Sequence, residues 1–238
     1  MKEVVLVVSG NGAGLASDDM TMGEVFVRFD LESTATEVAQ LAKDGLKINF
    51  RGKRLVLAAS FKRTLIRVVD ASRFGHKRRF FQRGLKNSDA WEVINSVFPI
   101  GSTINEDTHL FDISFFGDTK YVCYGFPACL SEKLAEIGKE LTGSVSRVSR
   151  LETVENLMFA RQIRESKILI FPQDDGFRLL AIKNGLPENV FFISNHPERR
   201  EAEFELILDS IGQRMAICTS SFMPPRADNG LEWIEKYK

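Results

Sequence analysis

Several residue groups in this chain have types and spacings that could do chemistry. Ser9-Gly10-Asn11-Gly12-Ala13-Gly14 sets three glycines at alternate positions, which frees backbone N–H groups to approach a phosphate. The run has no lysine. It is neither Gly-x-x-x-x-Gly-Lys-Ser/Thr nor the full dinucleotide spacing, and a flexible turn accounts for it. Asp174-Asp175-Gly176 offers two carboxylates to a metal, but Asp-Gly is also sufficient turn chemistry for a tight hairpin. His76, His109 and His196 are far apart with no paired spacing, which argues against zinc. Cys123 and Cys129 are six apart and Cys218 stands alone, a pattern better read as small buried hydrophobes. No Gly-x-Ser-x-Gly elbow is present for a hydrolase.

Charge is the other chemical signal. The 238 residues carry 32 basic and 32 acidic side chains, a net charge of zero, which excludes a globally basic nucleic-acid binder. The zero is a sum of segregated parts. Lys62 to Lys86 holds nine Lys and Arg against Asp70 alone, about +8 locally, with Phe74, Phe80 and Phe81 interleaved. The plain reading is a solvated loop docked by its phenylalanines. The functional reading is a surface for a partner or an anionic membrane, carried by Arg73, Lys77, Arg78, Arg79 and Arg83. RNA binding is a third option, testable by its salt dependence and by charge reversal at Arg78 and Arg79. Glu198 to Asp209 is the acidic counterpart, with Glu201 and Glu205 as candidate contacts for a basic partner.

These residues must be positioned by a mixed framework. Hydrophobic residues make up 44% of the chain, enough for a sizeable core. The few cysteines point to a reducing compartment, and no apolar run reaches a membrane span, so a soluble intracellular piece is expected. Glu3–Val8 reads as a central strand entering the glycine turn, followed by strands over Glu24–Phe29, Leu46–Phe50, Arg54–Ala59 and Thr64–Val69. A helix over Ser33–Lys43 precedes the third of these, with Gly45 as its stop. Ser88 opens a helix to Val97. His109–Phe115 and Lys120–Gly125 form a hairpin, then come a helix over Ser131–Leu141, a strand over Ser144–Val148 and a helix over Leu151–Gln162. Lys167–Phe171, Phe177–Lys183 and Asn189–Ser194 make a meander. A helix from Glu198 to Gln213, a strand over Arg214–Thr219 and an amphipathic end at Leu231–Tyr237 complete the chain. Strands, then a helix, then a further strand and helix thus occur twice.

A meander followed by helix, strand and helix resembles the half-domain of the actin-like ATPases. Lys53-Arg54-Leu55-Val56-Leu57-Ala58-Ala59-Ser60 and Thr64-Leu65-Ile66-Arg67-Val68-Val69-Asp70 resemble paired strands of the actin-like assembly proteins of type II secretion and type IV pili. Phe98-Pro99, His109–Asp112, Tyr121–Val148, the hairpin Lys167–Pro187 and the helix holding Glu203–Ser210 extend that resemblance over residues 50–213. It implies an α/β fold of mixed sheets with two related half-domains, reduced and nucleotide-free. Domain I would span 1–166, with an inserted basic and hairpin subdomain, and a partial domain II would span 167–238. Active relatives place an aspartate after the first strand of each half to hold Mg²⁺ and its waters. Here Ser9 ends the first strand.

The resemblance therefore implies no catalysis and no cofactor. It implies a scaffold, like the secretion "L" or pilus "M" protein, that docks inner-membrane platform proteins to the secretion or pilus ATPase. The expected location is cytoplasmic, peripheral to or anchored in the bacterial inner membrane by a helix outside this chain. A homodimer is compatible with it and nucleic acid is not expected. The rival is a nucleotide-binding ATPase of the same fold, related to the sugar kinases.

Overall fold

The computed structural model describes residues 3–16, 22–30, 32–61, 64–74, 87–101, 103–116, 119–144, 148–162, 165–173, 176–211, 215–219 and 232–238. The β-branched run at the start of the chain is a central strand, β1 (Glu3–Ser9). It pairs antiparallel with β2 (Gly12–Ala16) on one edge and parallel with β4 (Arg54–Ser60) on the other, with Val5 opposite Val56 and Ser9 opposite Ser60. β3 (Met22–Arg28) adds antiparallel to β2, and β8 (Val148–Thr153) adds parallel to β4. The first sheet thus runs β3-β2-β1-β4-β8. A parallel strand covered on both faces has no wet side, so its residues run apolar without alternation. Leu55 to Ala59 are all buried.

Helices α1 (Ala35–Leu46) and α3 (Ala128–Thr142) pack on each other over this sheet. Thr34 and Glu37 form a reciprocal cap on α1. The Thr34 N–H donates to Glu37 Oε2 at 2.8 Å, and the Glu37 N–H donates to Thr34 Oγ1 at 3.3 Å. The stop expected at Gly45 lies later, at Lys47, whose φ of 51° is left-handed. Gly45 is inside the last turn, where a Cβ would fall 2.3 Å from Val27 Cγ2, so glycine is needed for close packing on β3.

Between β4 and α3 the chain builds a second sheet, ordered β5-β7-β6 from β5 (Leu65–Asp70), β6 (His109–Phe116) and β7 (Lys120–Pro127). Helix α2 (Asn87–Val97) covers one face with Trp91, Val93 and Ile94 against Phe111, Tyr121 and Cys123. The other face, with Ile66, Val122, Tyr124 and Phe126, joins the main core.

The third sheet repeats the start of the first. β9 (Lys167–Gln173), β10 (Gly176–Lys183) and β11 (Leu186–Ser194) form an antiparallel meander, α5 (Pro197–Ile211) follows, and β12 (Ala216–Thr219) returns parallel to β9. This is the order of β1, β2, β3, α1 and β4. Asn184 and Gly185 turn the β10–β11 hairpin with φ of 50° and 74°, as a type I′ turn requires. Leu169, Leu180, Ile182 and Val190 enter the main core. Ile168, Ile170, Leu179 and Ile193 face a second cluster with Phe204 and the 3-10 helix Glu232–Tyr237.

Several expectations are corrected. The flexible glycine turn is a two-residue turn, and Gly12 already begins β2, a strand hidden by residues of low strand propensity. No strand covers Leu46–Phe50, because Leu46 closes α1 as a core residue. Of the strand expected over Ser144–Val148, residues 145–147 lie outside the described set, and β8 is described from Val148 to Thr153. The helix expected from Leu151 begins at Val154 as α4 (Val154–Gln162), because Thr153 Oγ1 accepts the Asn156 N–H at 3.0 Å and caps it there.

The two meanders share one device. A Cβ on Gly12 would lie 2.3 Å from the Val27 carbonyl oxygen and 2.5 Å from the Phe26 ring. On Gly176 it would lie 2.1 Å from the Ile193 carbonyl oxygen and 2.7 Å from Phe192. In each half an aromatic of the third strand lies across a glycine of the second. Gly176→Ala is therefore expected to cost about 2–3 kcal/mol, as overpacking against backbone does. It should lower the urea midpoint at unchanged slope. Gly101→Ala, with nothing within 4 Å, should leave the midpoint nearly unchanged.

Candidate functional site

The carboxyl ends of the parallel strands meet at one seam, the position where open α/β sheets place their ligands. Ser9 ends β1, Ser60 ends β4 beside it, Thr153 ends β8, and Gln173 ends β9 in the third sheet. Gln173 Nε2 donates to Ser60 Oγ at 3.4 Å, a bond that ties the two sheets together where the glycine hairpins turn.

The chain's own polar groups bond to one another along the seam. Ser9 Oγ donates to Asn11 Oδ1 at 2.8 Å, with the Gly12 carbonyl oxygen 3.2 Å away, so the hydroxyl serves its own turn. Arg178 enters from β10. Its Nη2 donates to Gln173 Oε1 at 3.3 Å, its Nε lies 3.3 Å from Glu155 Oε1, and its guanidinium lies 5.6 Å from the Phe192 ring centre. Glu155 stands in the first turn of α4 at 1% exposure, and Arg178 is 8% exposed. Next to it, Asn156 Nδ2 donates to Ser114 Oγ on β6 at 2.7 Å. The network therefore joins all three sheets.

Burial pushes the Glu155 carboxyl above the ordinary carboxylate range, and the Arg178 charge opposes that rise. An isolated buried carboxylate would neutralise itself, so its charge depends on the guanidinium beside it. Chemically this is a buried ion pair that leaves Glu155 Oε2 without a hydrogen-bond partner among the described residues. Lys120 on β7 is a second link between sheets, 3.1 Å from Glu188 on β11 and 3.9 Å from Asp70 on β5.

The residues singled out in the sequence sit elsewhere. Arg73 is exposed at the end of a 3-10 turn over Ala71–Phe74. Lys77, Arg78, Arg79 and Arg83 lie outside the described residues, as do Asp174 and Asp175. Glu201 and Glu205 are on α5, but both are engaged within the chain. Lys236 pairs with Glu201, and Tyr237 Oη donates to Glu205 Oε1 at 2.7 Å. Glu203 likewise accepts the Ser194 N–H at 3.1 Å. His109 stacks on Phe111, and Cys123 is buried with its thiol pushed up to about 12. Among the described residues no group of three or more His, Cys, Asp and Glu could hold a metal, and no helix is long and apolar enough to cross a membrane. The sequence reading missed Glu155 and Arg178. Arg178 was signalled as the one charge inside Phe177–Ile182, an otherwise apolar strand.

No protein-family model and no curated protein sequence matches this chain. Solved structures do. One is a Bacteroides thetaiotaomicron protein with an actin-like ATPase fold and unknown function, at a TM-score of 0.60 and 8% identity over 99% of this chain and 87% of that one. A second is the cytoplasmic domain of EpsL, an inner-membrane component of the type II secretion system of Vibrio cholerae, at 0.52 and 12% over 94% and 83%. A third is a chain of the PilM–PilN type IV pilus biogenesis complex, at 0.52 and 12% over 90% and 67%. The fold is thus the actin-like one expected from the sequence.

Removing one member of a buried pair strands the other, and Arg178→Met is expected to cost about 3–5 kcal/mol near neutral pH. Glu155 already titrates above its unfolded value, and losing Arg178 raises it further. A raised carboxyl favours the folded state below the unfolded value, about 4.3, and that advantage fades as pH rises through the folded one. The deficit of Arg178→Met relative to the parent should therefore be smaller at pH 5 than at pH 8 in urea melts.

Proposed function

We propose that this chain is a non-catalytic docking domain of a type II secretion or type IV pilus assembly platform, working on the cytoplasmic side of the inner membrane. It would join platform proteins to the assembly ATPase. The observation that carries the non-catalytic part is the seam itself. Where an actin-like ATPase holds nucleotide between two hairpins, this chain has Ser9 bonded to its own turn and Arg178 set against Glu155, which supports that reading. The assembly part rests on the fold shared with the EpsL cytoplasmic domain and with the PilM–PilN complex.

The basic segment supplies the partner-facing charge in this reading, with Arg73, Lys77, Arg78, Arg79 and Arg83 meeting an acidic surface. Charges at an interface rim mainly steer association and set its salt dependence. Glu201 and Glu205 are secondary contacts, since each first has to release a bond to the C-terminal 3-10 helix.

Two measurements test the proposal. Calorimetry with ATP and Mg²⁺ should show no binding at micromolar concentrations. Micromolar affinity with measurable hydrolysis would overturn the reading in favour of an ATPase. Purified assembly ATPase and the cytoplasmic tail of a platform protein from the same cell should each be captured by the chain. Charge reversal at Arg78 and Arg79 should weaken capture of one of them by about tenfold, with a shallower salt dependence. Capture of neither component defeats the assembly role.

A further inference from the structure

The two half-domains treat their equivalent helices differently. α1 lies against α3, whereas among the described residues α5 has no second α-helix beside it. The C-terminal 3-10 helix, Glu232–Tyr237, lies against α5 instead. Trp233 is 6% exposed and Ile234 is fully buried. The centre of the Trp233 ring is 5.5 Å from that of Phe177 and 5.3 Å from that of Phe204, and Tyr237 is 4.9 Å from Phe204. The Arg200 guanidinium lies 5.5 Å from the Trp233 ring centre. Lys236 pairs with Glu201, and Tyr237 Oη donates to Glu205.

The segment sits as a peptide sits in a receptor. Among the described residues, no backbone hydrogen bond joins 232–238 to the remainder of the chain, so side chains alone hold it. A 3-10 run of six residues has weak hydrogen bonds of its own and keeps its shape against a template. Its anchors are a tryptophan and a tyrosine with a charged rim, the composition of an interface hot spot. The fit is also incomplete. Trp233 Nε1 and Arg200 Nε are buried with no hydrogen-bond partner among the described residues. Each unmade bond costs free energy that an occupant able to make it would recover.

The receptor surface is longer than its occupant. Glu198, Glu201, Glu205 and Asp209 fall within about 80° of one another on α5, at about 100° per residue, and form one acidic stripe. The segment engages the middle two. No described residue bonds the side chain of Glu198 or Asp209, and Leu206, at 69% exposure, borders the stripe. Lys238 is turned back to Glu235 and leaves Asp209 unmet.

The seated segment identifies what the surface takes. It takes a short helix with two aromatics four residues apart and a lysine before the second. A partner whose basic residues continue past that pattern would also meet Asp209, and so make contacts that the chain's own segment does not.

We propose that this face of α5, with Phe177 and Phe204, is a docking site for a basic, aromatic helical segment of another protein, and that residues 232–238 occupy it in the partner's absence. The two occupants exclude each other, so the C-terminal segment sets a threshold for partner binding. A tethered segment competes at an effective concentration on the order of millimolar, which a partner with more contacts overcomes. The site refines the Glu201 and Glu205 contacts of the docking role, and it stands whether or not the partner is an assembly component.

Fluorescence anisotropy with labelled peptides tests it on the full chain. The probes are the peptide Glu232–Lys238 and the same peptide followed by a run of lysines. The parent, whose site is filled, should bind the plain peptide about tenfold or more weaker than Trp233→Ala does. Tyr237→Ala, at a half-buried position, should give the same effect in smaller degree. The lysine-extended peptide should bind Trp233→Ala more tightly than the plain one, and adding Asp209→Lys should remove that gain while leaving the plain peptide unaffected. Equal binding by the parent and Trp233→Ala, binding by neither, or an extension indifferent to Asp209→Lys each overturns the proposal. So does a Trp233→Ala chain without a cooperative urea transition, which would make the segment part of the core. A dimer in sedimentation that Trp233→Ala abolishes would give the site to the same segment of a second copy, and would overturn the proposal as well.

Discussion

The pairing of Glu155 with Arg178 is the constraint on which the arrangement of this molecule turns. Neither group is stable alone at its depth, because a buried charge without a partner costs several kcal/mol. One comes from the helix that follows the first sheet, the other from an inner strand of the third. Gln173 and Ser60 continue the same network to the ends of β9 and β4, and Asn156 reaches Ser114 in the second sheet. The three sheets therefore approach where these groups meet. The apolar core that runs from β1 and β4 to Leu169 and Val190 supplies most of the free energy, but hydrophobic contact has no direction. The polar seam supplies the direction.

A cleft lined by carboxylates suits phosphate, whereas the polar network at this seam ties the sheets of an actin-like frame to one another. The half-domains remain recognisable through small constraints of backbone space. Phe26 lies over Gly12 and Phe192 over Gly176, and this recurrence identifies equivalent strands in two units whose sequences otherwise differ.

Strands and helices whose burial is one-sided or complete were legible in the sequence, because periodicity reports burial. β1, the β6–β7 hairpin, the β9–β11 meander and α3 follow directly from apolar spacing. β2 was not legible, since Gly12, Ala13 and Gly14 carry no strand preference and take their conformation from pairing with β1 and β3. Gly45 misled for a related reason. Its role is tertiary contact with Val27, and nothing local distinguishes that from a helix stop. At the seam, Glu155 was masked by the apolar residues around it, and Arg178 was visible only as an anomaly in a buried strand. A pair 23 residues apart, 178 minus 155, with a hairpin turn between its members has no local signature.

The order of the chain gives the Glu155–Arg178 pair a consequence in time. β8 must find β4 across nearly a hundred residues, a non-local pairing of the kind that slows folding. When Glu155 first emerges during synthesis, the strand that carries Arg178 has not yet been made. The amino-terminal half can collapse at that stage only with Glu155 protonated or left in water. The last strands to appear therefore do more than complete a third sheet. They supply the partner that a buried Glu155 charge requires, and a nascent chain that stops between the two residues lacks it.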